Sequence, residues 1–277
     1  MNSGMKDFER DTLMAVLNNK LIWLMHVVVN ALLMIAFFYW TRIPEETNWQ
    51  FTLTVVGALA IAFVTLWLHS ATFVHFSSGT ERPFTDSLRS AVSRIPAFLV
   101  WTLVFGFVLS LIGQLWDYDQ QTGGWIRHLL PLFLRRLTTP RSMFAASHWF
   151  TWFVYFFVGP ILFLPVGAQV AIKGFRGFVS TVAIRPLREW RFWLTYLVCF
   201  LIGAYVPYTL AWMVPTKHSS LSDQTWSMVF RLGFGYLLFV TAWIVLCAAI
   251  VRASGEEQQE ASRPKPATIL PQPSASS

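Results

Sequence analysis

The sequence predicts an all-α integral membrane protein: a bundle of six transmembrane helices, both termini in the cytoplasm, with amphipathic surface helices in its loops. Scarcity of charge is the first reason. Charged residues make up 13% of the chain and hydrophobic residues 55%, whereas a soluble domain carries about 25% charged residues. The second is how the apolar residues are distributed. They gather in six runs, near 21–40, 51–76, 95–116, 148–172, 192–214 and 228–251, which together hold one formal charge, Arg231. The third is length. A helix rises about 1.5 Å per residue, so about 20 apolar residues cross a hydrocarbon core about 30 Å thick. Every run reaches that length, and in lipid the backbone must satisfy its own hydrogen bonds, so each run is expected to be helical. A soluble globule, a disordered chain and a disulfide-stapled secreted domain are excluded. The two cysteines, Cys199 and Cys247, lie in the fifth and sixth runs without metal-ligand spacing.

Residues 1–20 read as a cytoplasmic N-terminal segment. Within it, 5–19 are expected to form a short helix at the membrane surface, with Phe8, Leu13, Val16 and Leu17 toward lipid. The first run is a span, not a signal peptide: Asp7, Glu9 and Asp11 precede it, and no small-residue cleavage site follows Trp40. After the second run, Phe84, Leu88 and Val92 recur every four residues and predict an amphipathic helix with Arg89 and Arg94 away from that face. Between the third and fourth runs lies a 117–147 loop too short and too charged to span. It is expected to hold an interfacial helix kinked at Pro131, with Asp117 and Asp119 in solvated turns before it. Pro160 and Pro165 in the fourth run and Pro207 in the fifth predict kinks, since proline removes an intrahelical hydrogen bond. Small residues four apart, Ala58 with Ala62, Gly106 with Ser110 and Gly167 with Ala171, predict close helix contacts. Residues 21–251 are the membrane domain. Residues 252–277, rich in Pro, Ser, Ala and Glu, read as a disordered cytoplasmic tail.

Orientation follows from Lys and Arg. The N-terminal segment, the loops after spans two and four and the tail carry 14, against six in the opposite loops. The positive-inside rule then puts both termini in the cytoplasm. A bacterial-type inner membrane or plasma membrane is the expected location. The basic residues are spread over short loops rather than one face, which argues against a nucleic-acid partner.

Residues able to carry chemistry are few. The six runs contain no Asp, Glu or Lys, and ion-coupled carriers usually place a carboxylate at mid-membrane. No phosphate-cradling glycine loop, zinc-protease or nucleophile-elbow motif is present, and the reading leans away from an enzyme. The polar residues that remain predict a ladder between spans one and two. His26 and Asn30 are four apart, as are Thr65 and His69, and both histidines fall about 8–10 Å below the cytoplasmic boundary. Helix–helix hydrogen bonding, a polar lining for a substrate path and axial ligation of a haem by His26 and His69 are the three uses considered for it. No other cofactor or metal is implied. Arg89, Arg94, Lys173, Arg176, Arg185 and Arg188 are placed to contact anionic lipid headgroups. The function expected is handling or transport of a lipid or other hydrophobic ligand without acid-coupled chemistry. A scaffold or accessory subunit of a membrane complex, with a membrane-protein partner, is one alternative, and a bis-histidine haem protein is another.

Overall fold

A computed structural model describes residues 14, 16–44, 46–78, 83–213 and 220–261, with side chains up to Gly255. Six helices in it are long and apolar enough to cross a membrane: Lys20–Trp40, Asn48–Ser77, Ile95–Leu129, Pro140–Val179, Trp190–Trp212 and Leu221–Gly255. They are spans one to six below. The protein is an all-α, multi-pass membrane bundle, and no strand occurs among the described residues.

Local chemistry sets the helix ends. Asn19 caps span one by accepting from the Ile22 N–H, 3.4 Å away. Thr47 and Gln50 form a reciprocal capping box at the start of span two, with bonds of 2.9 and 3.3 Å. Such caps satisfy N–H groups that a first turn cannot pair internally. The short link before Thr47 makes spans one and two antiparallel neighbours. Trp40 closes their far end by donating to the Thr54 carbonyl at 2.7 Å.

Packing is uneven along the bundle axis. In the most apolar window of span six 56% is buried, and in that of span four 44%, against 11% for span one. Span four and the termini half of span six, from Val240 on, are therefore interior. Span two is buried only from Leu66 to His75, the half nearer the termini, and touches spans one, three, four and six. The buried residues of spans three and five also cluster at that end, around Phe98, Trp101, Phe192 and Tyr196. We call it the termini end, because Val16, Ile22 and Ala248 share one cluster there.

Several sequence expectations change. The 117–147 segment is a helical hairpin rather than an interfacial loop helix. Span three continues through a short 3₁₀ turn to Leu129, the chain breaks at Leu130–Pro131, and span four begins at Pro140 behind a Thr139–Ser142 cap. Gly123 lets the two arms touch: a Cβ there would lie 2.9 Å from the Met143 carbonyl carbon. Asp119 is not solvated but buried. Its carboxylate accepts from Thr151 at 3.1 Å and Ser147 at 3.4 Å and pairs with His148 Nδ1 at 2.9 Å.

The helix Phe84–Val92 docks on the protein. Phe84, Ser87 and Ala91 are buried while Val92 is exposed. A four-residue step advances 400°, so Val92 drifts about 80° from Phe84, and the buried face is instead i, i+3, i+7. Trp67 fastens this helix by donating to the Leu88 carbonyl at 2.7 Å.

Of the small-residue pairs, Gly167 and Ala171 sit in a helix contact, whereas Gly106 faces open space. The last helix continues to Ala261 rather than ending near Val251. The expected N-terminal surface helix and the remainder of the tail fall on residues outside those described, apart from Val16, which is buried, and Leu17, which is exposed.

Candidate functional site

The polar ladder is assembled by three spans, not two. His26 and His69 meet with ring centroids 5.5 Å apart. The Asn30 amide N–H donates to His26 Nδ1 at 3.3 Å. His26 Nε2 lies 2.7 Å from the Thr72 hydroxyl, which itself donates to the Leu68 carbonyl at 2.9 Å. Since that hydroxyl proton is committed, His26 carries its proton on Nε2 and donates to Thr72. His69 Nδ1 accepts the indole N–H of Trp243 in span six at 2.8 Å. Indole is a donor only, so Nδ1 of His69 is the unprotonated nitrogen. Tyr236, two turns before Trp243 on the same face of span six, donates to the Val27 carbonyl at 2.6 Å.

Three of the four expected ladder residues, His26, Asn30 and His69, are thus brought together. Thr65 is not among them: its hydroxyl turns back to the Ile61 carbonyl of its own helix at 2.8 Å. Thr72 and Trp243 were missed. Thr72 follows His69 by three residues and was a readable neighbour on the same face. Trp243 lies 174 residues from His69, and nothing local announces that contact. Both ring nitrogens of His26 are engaged, so an iron at His26 would have to displace Asn30 or Thr72. Among the described residues no group of three His, Cys, Asp or Glu side chains is placed to hold a metal ion.

A second polar knot lies nearer the termini. The Asn19 amide lies 2.5 Å from His75 Nε2, and Ser87 Oγ lies 3.5 Å from its Nδ1. The ring packs edge-on to Phe84. His75 therefore ties the start of span one and the surface helix to span two.

Proline kinks shape the other half of the site. Each of Pro160 and Pro207 is preceded by a π-helical turn, Val154–Val158 and Leu201–Tyr205. Proline has no N–H to give the preceding turn, and the wider turn absorbs the mismatch. At the first kink the Phe157 carbonyl accepts the Tyr196 hydroxyl from span five at 3.1 Å. At the second, Gly235 of span six admits Pro207: a Cβ there would lie 3.3 Å from the proline Cβ.

Between the two kinks an apolar crevice of about 120 Å³ opens among spans four, five and six, lined by Pro160, Leu164, Cys199, Ala204, Phe239 and Trp243 among others. Trp243 belongs to both features. It walls the crevice and holds His69 with the same indole ring, edge-on at a centroid distance of 5.1 Å.

The expected headgroup residues sit in loops at the termini end. Arg89, Lys173, Arg176 and Arg188 are exposed, and Arg94 and Arg185 are half-buried. Arg94 reaches the Ala171 carbonyl at 3.4 Å, and burial pulls its guanidinium below the usual arginine range. Lys173 donates to Ser180 at 3.1 Å. The loop they occupy folds back on span four, with Gly177 against the Gln169–Val170 backbone, where any side chain would collide. The Arg231 guanidinium bonds the Leu210, Met213 and Ser227 carbonyls.

No protein-family description matches the chain. No curated protein and no solved structure matches it either.

Proposed function

We propose that this multi-pass membrane protein holds a hydrophobic ligand, a lipid or a molecule of similar character, within the plane of the bilayer and without acid-coupled chemistry. The observation that carries this reading is the apolar crevice between the π-kinked spans and span six. Ordinary bundle packing leaves few voids, whereas here the two proline kinks flank one. The polar cluster beside it adds shape rather than charge, since its histidines pair with neutral partners. The test is native mass spectrometry of the chain extracted in mild detergent. A retained hydrophobic adduct, lost when Ala204→Phe fills the crevice, is the expected result. An adduct indifferent to that change, or a bare chain under every condition, overturns it.

A second reading, a scaffold or accessory subunit, is favoured by the far hairpin. Its tip exposes Leu129 at 81%, Leu132 at 71%, Phe133 at 66% and Leu137 at 79%, a run of large apolar residues of the sort that marks an interaction surface. The same preparation tests it: a stoichiometric protein partner would move this reading to first place. For the setting, the distribution of Lys and Arg supports termini in the cytoplasm of a bacterial-type inner membrane or plasma membrane.

A further inference from the structure

We infer that the crevice and the basic turn at its end form one site for an anionic phospholipid, with an acyl chain in the crevice and the phosphate at Arg188 and Arg191. This rests on the hydrophobic-ligand reading and names its ligand class. Placement joins the two halves. Spans four, five and six wall the crevice. The short helix Arg185–Arg188 packs against those same three spans at the termini end. Arg188 is exposed there, and Arg191, in the first turn of span five, is half-buried. The loop 173–191 carries five cations, and Glu189 is its single acid. Its net charge is complementary to a phosphate.

The depths also agree. The lining residues Tyr196 and Ala204 follow Arg191 on span five. At about 1.5 Å per residue they lie about 8 and 20 Å from it along the helix. One leaflet of hydrocarbon is about 15 Å deep, half of a core of about 30 Å. A lipid whose phosphate sits at the arginines therefore has its chain at the depth of the crevice walls. Those walls are almost wholly apolar. The Tyr196 hydroxyl is turned to the Phe157 carbonyl and the Trp243 indole N–H to His69. The crevice, at about 120 Å³, is well below the roughly 300–1,000 Å³ of a pocket that encloses a whole small molecule. It suits part of one chain, with the headgroup outside.

The experiment is competition measured by native mass spectrometry. The chain in mild detergent is offered equimolar dioleoyl phosphatidylglycerol and dioleoyl phosphatidylcholine. One phosphatidylglycerol is expected to be retained in preference by roughly 25-fold, about five-fold for each arginine near the surface. Arg188→Gln with Arg191→Gln should bring the ratio close to one while phosphatidylcholine stays bound. Ala204→Phe should release both lipids, and Cys199→Leu on the same wall should weaken both if Ala204→Phe does not remain monodisperse. Excess inorganic phosphate should leave the lipid in place; displacement by it would mean an anion site without a chain and would overturn the proposal. A ratio unchanged by the two glutamines would also overturn it and leave the hydrophobic-ligand reading standing. Lipid retention indifferent to every wall substitution would remove both.

Discussion

The Trp243 indole donates to Nδ1 of His69 across 2.8 Å, joining span six to span two and the crevice wall to the histidine pair. Trp243→Phe keeps most of the ring and removes the donor. Interhelical hydrogen bonds in membranes are worth roughly 0.6–2 kcal/mol, so the variant should unfold a few degrees lower in detergent. Adding His69→Phe should cost little more, because both changes break the same bond. Fully additive losses would show that the two residues are not coupled.

Thr65 and Thr72 of span two make opposite predictions. Thr72→Val strips the acceptor from His26 Nε2–H, which is buried. Leaving a buried donor unpaired costs about 1–3 kcal/mol. Thr65 bonds only its own helix, so Thr65→Val should be nearly silent. Thermal unfolding of the two variants side by side decides it; equal losses would place Thr65 in the network after all.

Asp119 is the hub of the far hairpin, holding Ser147, His148 and Thr151 from the opposite arm. Asp119→Ala leaves those groups without their acceptor. The expected outcome is local: trypsin should cut at Arg127, Arg135, Arg136 or Arg141 faster than in the parent, while the midpoint for unfolding of the spans barely moves. Unchanged cleavage would mean the arms are held by packing around Gly123 alone.

Gly167 and Gly106 test helix contact. A Cβ at Gly167 would collide with the Trp101 indole, whereas nothing lies within 4 Å of one at Gly106. Gly167→Val should therefore destabilise by about 1–3 kcal/mol, the usual range for overpacking. Gly106→Val should stay within about 0.5 kcal/mol, as for a surface change. A denaturation series in one detergent separates them.

Orientation is checked with Ser222, exposed in the first turn of span six. With the termini inside, a cysteine introduced by Ser222→Cys is labelled by an impermeant maleimide from the outside of intact cells. Labelling only after permeabilisation would reverse the topology.

How much of this was legible in the chain varies by residue. His26 and Asn30 declare a shared face by their spacing alone, and so do His69 and Thr72. The kinks are announced by Pro160 and Pro207, although the π-turns that precede them are not. Asp119 is misread as solvated, because its partners arrive from the opposite arm of a hairpin whose contact depends on Gly123. Nor does any spacing announce the Leu210 and Met213 carbonyls that Arg231 bonds at the end of another span.

The number of spans, their helical state and their approximate bounds follow from the sequence by itself. Hydropathy and backbone self-satisfaction in lipid act within one segment and need no partner. Which faces meet was decided only by the tertiary structure. Lipid is as apolar as the helices, so the hydrophobic effect does not choose a neighbour in the membrane; close packing and a few hydrogen bonds do. The Trp243–His69 bond, the Tyr196–Phe157 bond at the kink and the crevice between them exist because distant small and polar residues coincide in space.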